Sequence, residues 1–226
     1  MKKNKLIVLD IDDTLTSSED KHTDSLVYAM HEFGIKDVDT DWKAYAHTSD
    51  SFILKENYER SLGKDFSFSI IPEFERIMTE YFMKLPDSSE VLGAKNAVEF
   101  IANETDYGVC FATGSILKPA YLKLEQIGLE FDKEVLESAN SFFTREEIVQ
   151  SAIRRAEAFY NVNSFEEIIS FGDGLWDVTT AENLNLHFVG VNTKNIEDFK
   201  KKNVKHHINH WGDFDLTQIE SIFNIK

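Results

Sequence analysis

The feature that most constrains this chain lies near its start, in Lys5-Leu-Ile-Val-Leu-Asp10-Ile-Asp12-Asp13-Thr14-Leu-Thr16. Leu6 to Leu9 is an unbroken apolar run, the pattern of a strand buried on both faces of a parallel sheet. Three carboxylates, Asp10, Asp12 and Asp13, follow at the strand's C-terminal end. In open α/β sheets that edge is where ligands bind. Like charges this close repel unless a cation, a shared proton or both sit among them. The plainer alternative is an acidic turn that ends a strand, with Asp13 or Thr14 capping the next segment. A ligand site needs partners elsewhere in the chain; a turn does not.

Composition leaves room for such partners. The 226 residues, 42% hydrophobic with 18 Phe, suffice for one large α/β domain or a core carrying a smaller insert. A formal charge of −16 argues against a nucleic-acid partner, whose backbone needs clustered cations. Cys110, the single cysteine, excludes an internal disulfide and any Cys-based zinc cluster, and its apolar surroundings mark it as a core residue. Lys2, Lys3 and Lys5 ahead of Leu6–Leu9 mimic a signal peptide, but the run is too short and acids follow it. No stretch is long enough to span a bilayer. A cytoplasmic protein without a membrane partner is expected.

Past Thr16 the pattern becomes helical. Leu26, Val27, Met30 and Phe33 recur at helical spacing with Gly34 placed to end the helix. A weakly periodic stretch runs from Asp41 to about Leu62, broken near His47-Thr48-Ser49-Asp50. Pro72 opens a third helix with Phe74, Ile77, Met78, Tyr81 and Phe82 on one face. From about Glu90 helices and buried strands alternate, as in an α/β domain. Tyr107–Ala112, Ile168–Phe171, Leu186–Val191 and Val204–Ile208 read as strands, with Val135-Leu136 a short candidate. Thr144-Arg145-Glu146-Glu147 is a capping box opening a long helix, and Ser164 with Glu167 repeats it on a smaller scale.

Three strands thus end in polar or small residues: Asp10/Asp12, Thr113-Gly114, and Gly172-Asp173 with Asp177 beyond. If the strands are parallel, the three clusters meet at one edge. Carboxylates from two strand ends are hard oxygen ligands suited to Mg²⁺. Thr113, with the free N–H groups of its turn, suits a phosphate oxygen. Gly172 and Gly174 are expected to let the backbone turn tightly beneath the ion.

On these residues the chain resembles the haloacid dehalogenase superfamily. Asp10-Ile-Asp12-Asp13-Thr14 matches the family's Asp-x-Asp-x-Thr motif, Thr113-Gly114 the second motif, and Gly172-Asp173-x-x-x-Asp177 the fourth. The third calls for Lys or Arg; Arg145, opening a helix between the second and fourth motifs, is preferred to Lys118 and Lys123. The resemblance implies a Rossmann-like three-layer α/β core with a parallel sheet, formed by residues 1–16 and 87–226, and a small α-helical cap, residues 17–86. It implies a Mg²⁺-dependent phosphatase acting on a small phosphorylated metabolite. Asp10 would be the nucleophile that becomes an aspartyl phosphate. Asp12, with a pKa raised by neighbouring charge, would carry the proton. Mg²⁺ would be held by Asp10, the Asp12 carbonyl, Asp173 and Asp177, and phosphate by Thr113, Gly114 and Arg145. A phosphosugar mutase of the same superfamily is the alternative reading, and a non-catalytic phosphate-binding regulator a further one. Asp13 stands where Gly is more common.

In the cap, His47, Thr48 and Asp50 are candidates for facing the substrate, against the competing reading of a helix N-terminus capped by Thr48 or Asp50. Trp176 is expected in the core, against the competing reading of a residue that shapes the pocket wall. His206, His207 and His210 read as a surface cluster near the sheet edge, because adjacent strand residues point to opposite faces.

Overall fold

The computed structural model describes residues 2–192 and 194–225. Strand β1 (Lys5–Leu9) leads through the acidic loop to β2 (Thr16–Ser17). Three helices follow, α1 (Glu19–Glu32), α2 (Asp50–Leu62) and α3 (Ile71–Phe82), before β3 (Ser89–Glu90). The chain then alternates as α4 (Ala94–Glu104), β4 (Tyr107–Ala112), α5 (Leu117–Gln126), β5 (Leu136–Glu137), α6 (Arg145–Phe159) and β6 (Ile168–Gly172). It closes with α7 (Leu175–Leu184), β7 (His187–Val191), α8 (Ile196–Lys201), β8 (His206–Ile208) and α9 (Leu216–Phe223).

Six strands form one parallel sheet in the order β5-β4-β1-β6-β7-β8. This is the three-layer α/β architecture, with α4 and α6 packed on β4 and α7 on β6 and β7. All five residues of β1 are buried, as an apolar central strand requires. The register decides where the chemistry falls. Leu9 lies opposite Phe111 on one side and Phe171 on the other, so Asp10 comes level with Ala112 and Gly172. The loops carrying Asp10–Thr14, Thr113–Ser115 and Asp173–Asp177 therefore leave the sheet side by side.

Strands β2 and β3 pair antiparallel as a separate two-stranded ribbon, Thr16 opposite Glu90 and Ser17 opposite Ser89. The three helices between them have their own apolar core of Leu26, Met30, Ile53, Leu54, Phe74 and Met78, joined by Ile116 from the loop after β4. Gly34 (φ 85°) and Gly63 (φ 61°) follow α1 and α2 in the left-handed conformation that a glycine adopts without a Cβ penalty.

Two local expectations are corrected. Ser164 and Glu167 open no helix: the segment enters β6 directly, with Glu166 N donating to Asn4 O at 2.8 Å and Leu6 N to Glu167 O at 2.9 Å. Sheet pairing with β1 overrides the capping pattern. The periodic stretch from Asp41 holds only a short 3₁₀ turn, Trp42–Ala44, before α2 begins at Asp50. The capping box at Thr144 forms, its hydroxyl accepting from Glu147 N and Glu147 Oε2 accepting from Thr144 N. Cys110 is buried in β4, and the histidine pair lies on edge strand β8 with His207 exposed.

Candidate active site

Asp10 sits one residue beyond β1, its backbone N–H still donating to Phe171 O at 3.0 Å. Its carboxylate accepts from Arg145 Nη1 at 3.0 Å through Oδ1 and from Thr14 Oγ1 at 3.2 Å through Oδ2. Arg145 is aimed there from the first turn of α6 and donates its Nε–H to Thr48 O at 3.0 Å. Gly114 makes room for this: a Cβ would lie 2.6 Å from Thr48 O and 2.7 Å from the guanidinium. The glycine of Thr113-Gly114 is thus required by close approach. Thr113 itself is buried and its hydroxyl accepts from Ser115 N at 3.1 Å.

Asp173 and Asp177 complete an acidic group. One carboxylate oxygen from each of Asp10, Asp173 and Asp177 lies within 4.8 Å of the others, and all three residues are buried. Asp177 Oδ2 also accepts from Gly174 N at 3.0 Å, folding the carboxylate back over the turn. Gly172 and Gly174 serve this turn through space, not through backbone rotation. Neither has a positive φ, but a Cβ on Gly172 would collide with the Asp177 carboxylate and one on Gly174 with the Trp176 ring. Asn195 Nδ2 holds the Asp173 carbonyl at 2.8 Å.

The group is a buried cluster of like charge. Burial, then repulsion from Asp177 and Asp10, pushes Asp173 up to about 9. Burial and Asp10 push Asp177 up to about 8, with Arg145 opposing. Burial likewise raises Asp10, against the pull of Arg145. Three buried carboxylates in this state suit a small divalent ion that accepts hard oxygen donors, and the donor set fits Mg²⁺.

Asp12 departs from expectation. Its side chain is turned to a separate set of partners, Ser18 Oγ donating to Oδ1 at 2.6 Å and Lys123 Nζ to Oδ2 at 2.6 Å. Burial opposes ionisation, but the Lys123 ammonium overcomes it and holds the carboxyl at about 2. Asp12 is not raised by its acidic neighbours, because a buried lysine has been placed against it. Asp13 adopts φ 53°, which accounts for the usual glycine there, and its carboxylate pairs with Lys194. Lys194 also reaches Glu19 at 3.3 Å.

Of the three candidate cations, Arg145 meets Asp10 and Lys123 meets Asp12, whereas Lys118 pairs with Glu75 at 3.6 Å. A cavity of about 500 Å³ opens over Arg145 and Asp173, walled by Lys43, Tyr45, His47 and Thr48 from the helical region and by Leu175 and Trp176 from α7. Trp176 is therefore a half-buried wall residue and not core, since the space that would bury it is the cavity. Its indole Nε1 and the Thr48 hydroxyl, both buried, have no hydrogen-bond partner among the described residues. Asp50 does not line the cavity. Its N–H donates to Gly114 O at 2.8 Å and its Oδ2 accepts from Ile116 N at 2.8 Å, tying α2 to the loop after β4. Ser49, not Thr48 or Asp50, caps α2, its hydroxyl accepting from Phe52 N.

Residues 4–185 match the family model for haloacid dehalogenase-like hydrolases, and the chain belongs to that family. No curated protein matches it in sequence. Among solved structures it is similar to a family IA, variant 3 haloacid dehalogenase hydrolase from Entamoeba histolytica, at 17% identity and TM-score 0.71 over 97% of this chain and 99% of that one. A β-phosphoglucomutase from Clostridium difficile matches at 17% identity and TM-score 0.61 over 99% and 98%. CbbY from Rhodobacter sphaeroides, solved with phosphate, matches at 14% identity and TM-score 0.66 over 96% and 99%. At these identities the likeness is one of fold.

Proposed function

We propose that the protein hydrolyses a small phosphomonoester with Asp10 as nucleophile. The observation that carries this reading is the buried Asp10 carboxylate, bonded to Arg145 and grouped with Asp173 and Asp177, beneath a cavity that Arg145 and Asp173 line. Mg²⁺ held by Asp10, the Asp12 carbonyl, Asp173 and Asp177 would neutralise charge on the phosphoryl group and keep Asp10 ionised.

Within that frame Arg145 orients and neutralises the phosphoryl oxygens. The Asp10 oxygen attacks phosphorus as the ester oxygen departs, leaving an aspartyl phosphate that water then cleaves. Asp12 gives a proton to the departing oxygen and later takes one from the water; it stands ionised against Lys123 before substrate enters, so the cycle requires that it gain a proton before the ester bond breaks. The loop before α2 walls the site and would narrow the access of bulk water to it. The substrate's non-phosphate part lies against Trp176, Tyr45, His47 and Thr48, where the indole N–H and threonine hydroxyl, unpartnered among the described residues, can meet polar groups. Cytoplasmic residence completes the reading.

The covering segment also favours a second reading, phosphate transfer within a sugar, which needs the intermediate shielded from water. Product analysis on a phosphoester panel with Mg²⁺ separates the two: inorganic phosphate is expected, and an isomerised sugar phosphate would replace the hydrolase reading. Asp10→Asn is expected to abolish turnover with the fold intact by circular dichroism. Full activity in that variant would refute the nucleophile assignment.

A further inference from the structure

Lys123 is 0% exposed, and lysine is rarely buried completely. It lies on α5, three residues past the buried Ala120, so the helix directs it inward. Its ammonium has three acceptors and three hydrogens to give them: Asp12 Oδ2 at 2.6 Å, His22 Nδ1 at 3.0 Å and Ser115 Oγ at 3.1 Å. With Nδ1 facing an ammonium, the His22 imidazole proton belongs on Nε2, where it donates to Asp50 Oδ1 at 2.9 Å. Asp50 is in turn fixed to Gly114 O and Ile116 N. A continuous chain of hydrogen bonds therefore runs from the first residue of α2 through α1 and α5 to Asp12.

A buried ion pair is a poor stabilising device, because apolar residues of similar volume do as well or better. Its value here is geometric. With Ser18 on one oxygen and Lys123 on the other, the Asp12 carboxylate has a fixed orientation, and it shares neither partner with Asp10.

We infer that Lys123 is the positioning residue for Asp12, and that the His22–Asp50 link makes its placement depend on how α2 is seated. This rests on the proton-carrying role proposed above for Asp12. Lys123 touches no reacting atom; it sets where the proton carrier stands. Loss of this positioning should slow reactions that need protonation of the departing oxygen and spare those that do not.

The test compares kcat on a simple alkyl phosphate, whose basic alkoxide is a poor leaving group, with kcat on 2,4-dinitrophenyl phosphate, whose phenolate departs without a proton. Asp12→Asn calibrates the assay and should lose at least about tenfold more on the alkyl ester. Lys123→Met should show the same discrimination, with KM for either ester changed less than about threefold. Ser18→Ala and His22→Gln, which leave the ammonium in place, should discriminate in the same direction and decide the matter if Lys123→Met does not fold. Equal losses on both esters in the Lys123, Ser18 and His22 variants, with Asp12→Asn discriminating, would overturn the inference and leave the hydrolase reading standing. Failure of Asp12→Asn to discriminate would instead remove the proton role on which both rest.

Discussion

Replacing Asp173 by Asn should stabilise the protein in chelator while removing its response to Mg²⁺. Asp173 stands at about 9 against the ordinary 3.8 of an aspartate. Between those values the folded chain holds a proton that the unfolded chain has released. Stability from this group is therefore present at low pH and falls as pH rises toward about 9, by at most about 1.4 kcal/mol per pH unit. From about pH 5 to about pH 8 the full effect would approach 4 kcal/mol, and relaxation around the site reduces it to about 2 kcal/mol. Asp10 and Asp177, also raised, act in the same direction. Asp12, held at about 2, titrates below this window. His206, lowered by burial, acts in the opposite sense.

The contrast between variant and parent isolates Asp173, because the remaining groups are common to both. Urea denaturation in EDTA at about pH 5 and about pH 8 is the assay. The parent should lose stability across the interval, and Asp173→Asn should lose about 2 kcal/mol less and exceed the parent at the higher pH. Adding Mg²⁺ should raise the parent's midpoint at about pH 8 and leave the variant's nearly unchanged. A parent equally stable at both pH values in EDTA, or a variant weaker than the parent at the higher pH, would refute the account of this cluster as buried carboxylates in mutual repulsion.

Arg145→Ala should lower kcat/KM by about two to three orders of magnitude and weaken competitive inhibition by inorganic phosphate, as steady-state kinetics would show. Gly114→Ala should cost about 1–3 kcal/mol in denaturant and reduce activity as well, since the added methyl collides with Thr48 O and the Arg145 guanidinium together. An unchanged midpoint and rate would show that the loop gives way.

The core of the fold was legible because its strands are apolar enough to declare themselves: β1 holds the unbroken run Leu6–Leu9, and β4 and β6 are apolar but for Gly108, Ser170 and Gly172. Their parallel register then brings three loop clusters to one edge, which spacing along the chain anticipates. Pairing between distant polar groups is hidden at the level of sequence. Lys123 reads as one of two lysines on an amphipathic helix, and only its place three residues from Ala120 hints that it turns inward. Its partners, Asp12 and His22, are 111 and 101 residues away. The same distance effect hides Lys194, 181 residues from Asp13, whereas Ser18, six residues from Asp12, is hidden only because the turn between them is not legible. Asp50 shows the converse. Within one polar knot between helices, the aspartate joins α2 to the core, while His47 and Thr48 line the cavity.

The ribbon of β2 and β3 also bears on how such a chain can be rebuilt. Ser17 and Ser89 lie opposite one another on adjacent strands, so the points where the chain leaves and re-enters the sheet-bearing part are about 5 Å apart. A segment whose ends meet this closely can be exchanged for one of different length without changing the order of the sheet. Diversification by insertion is open at this position, and a chimera joining foreign helices between Ser17 and Ser89 would keep the strand-end residues in register while presenting them with a different lid.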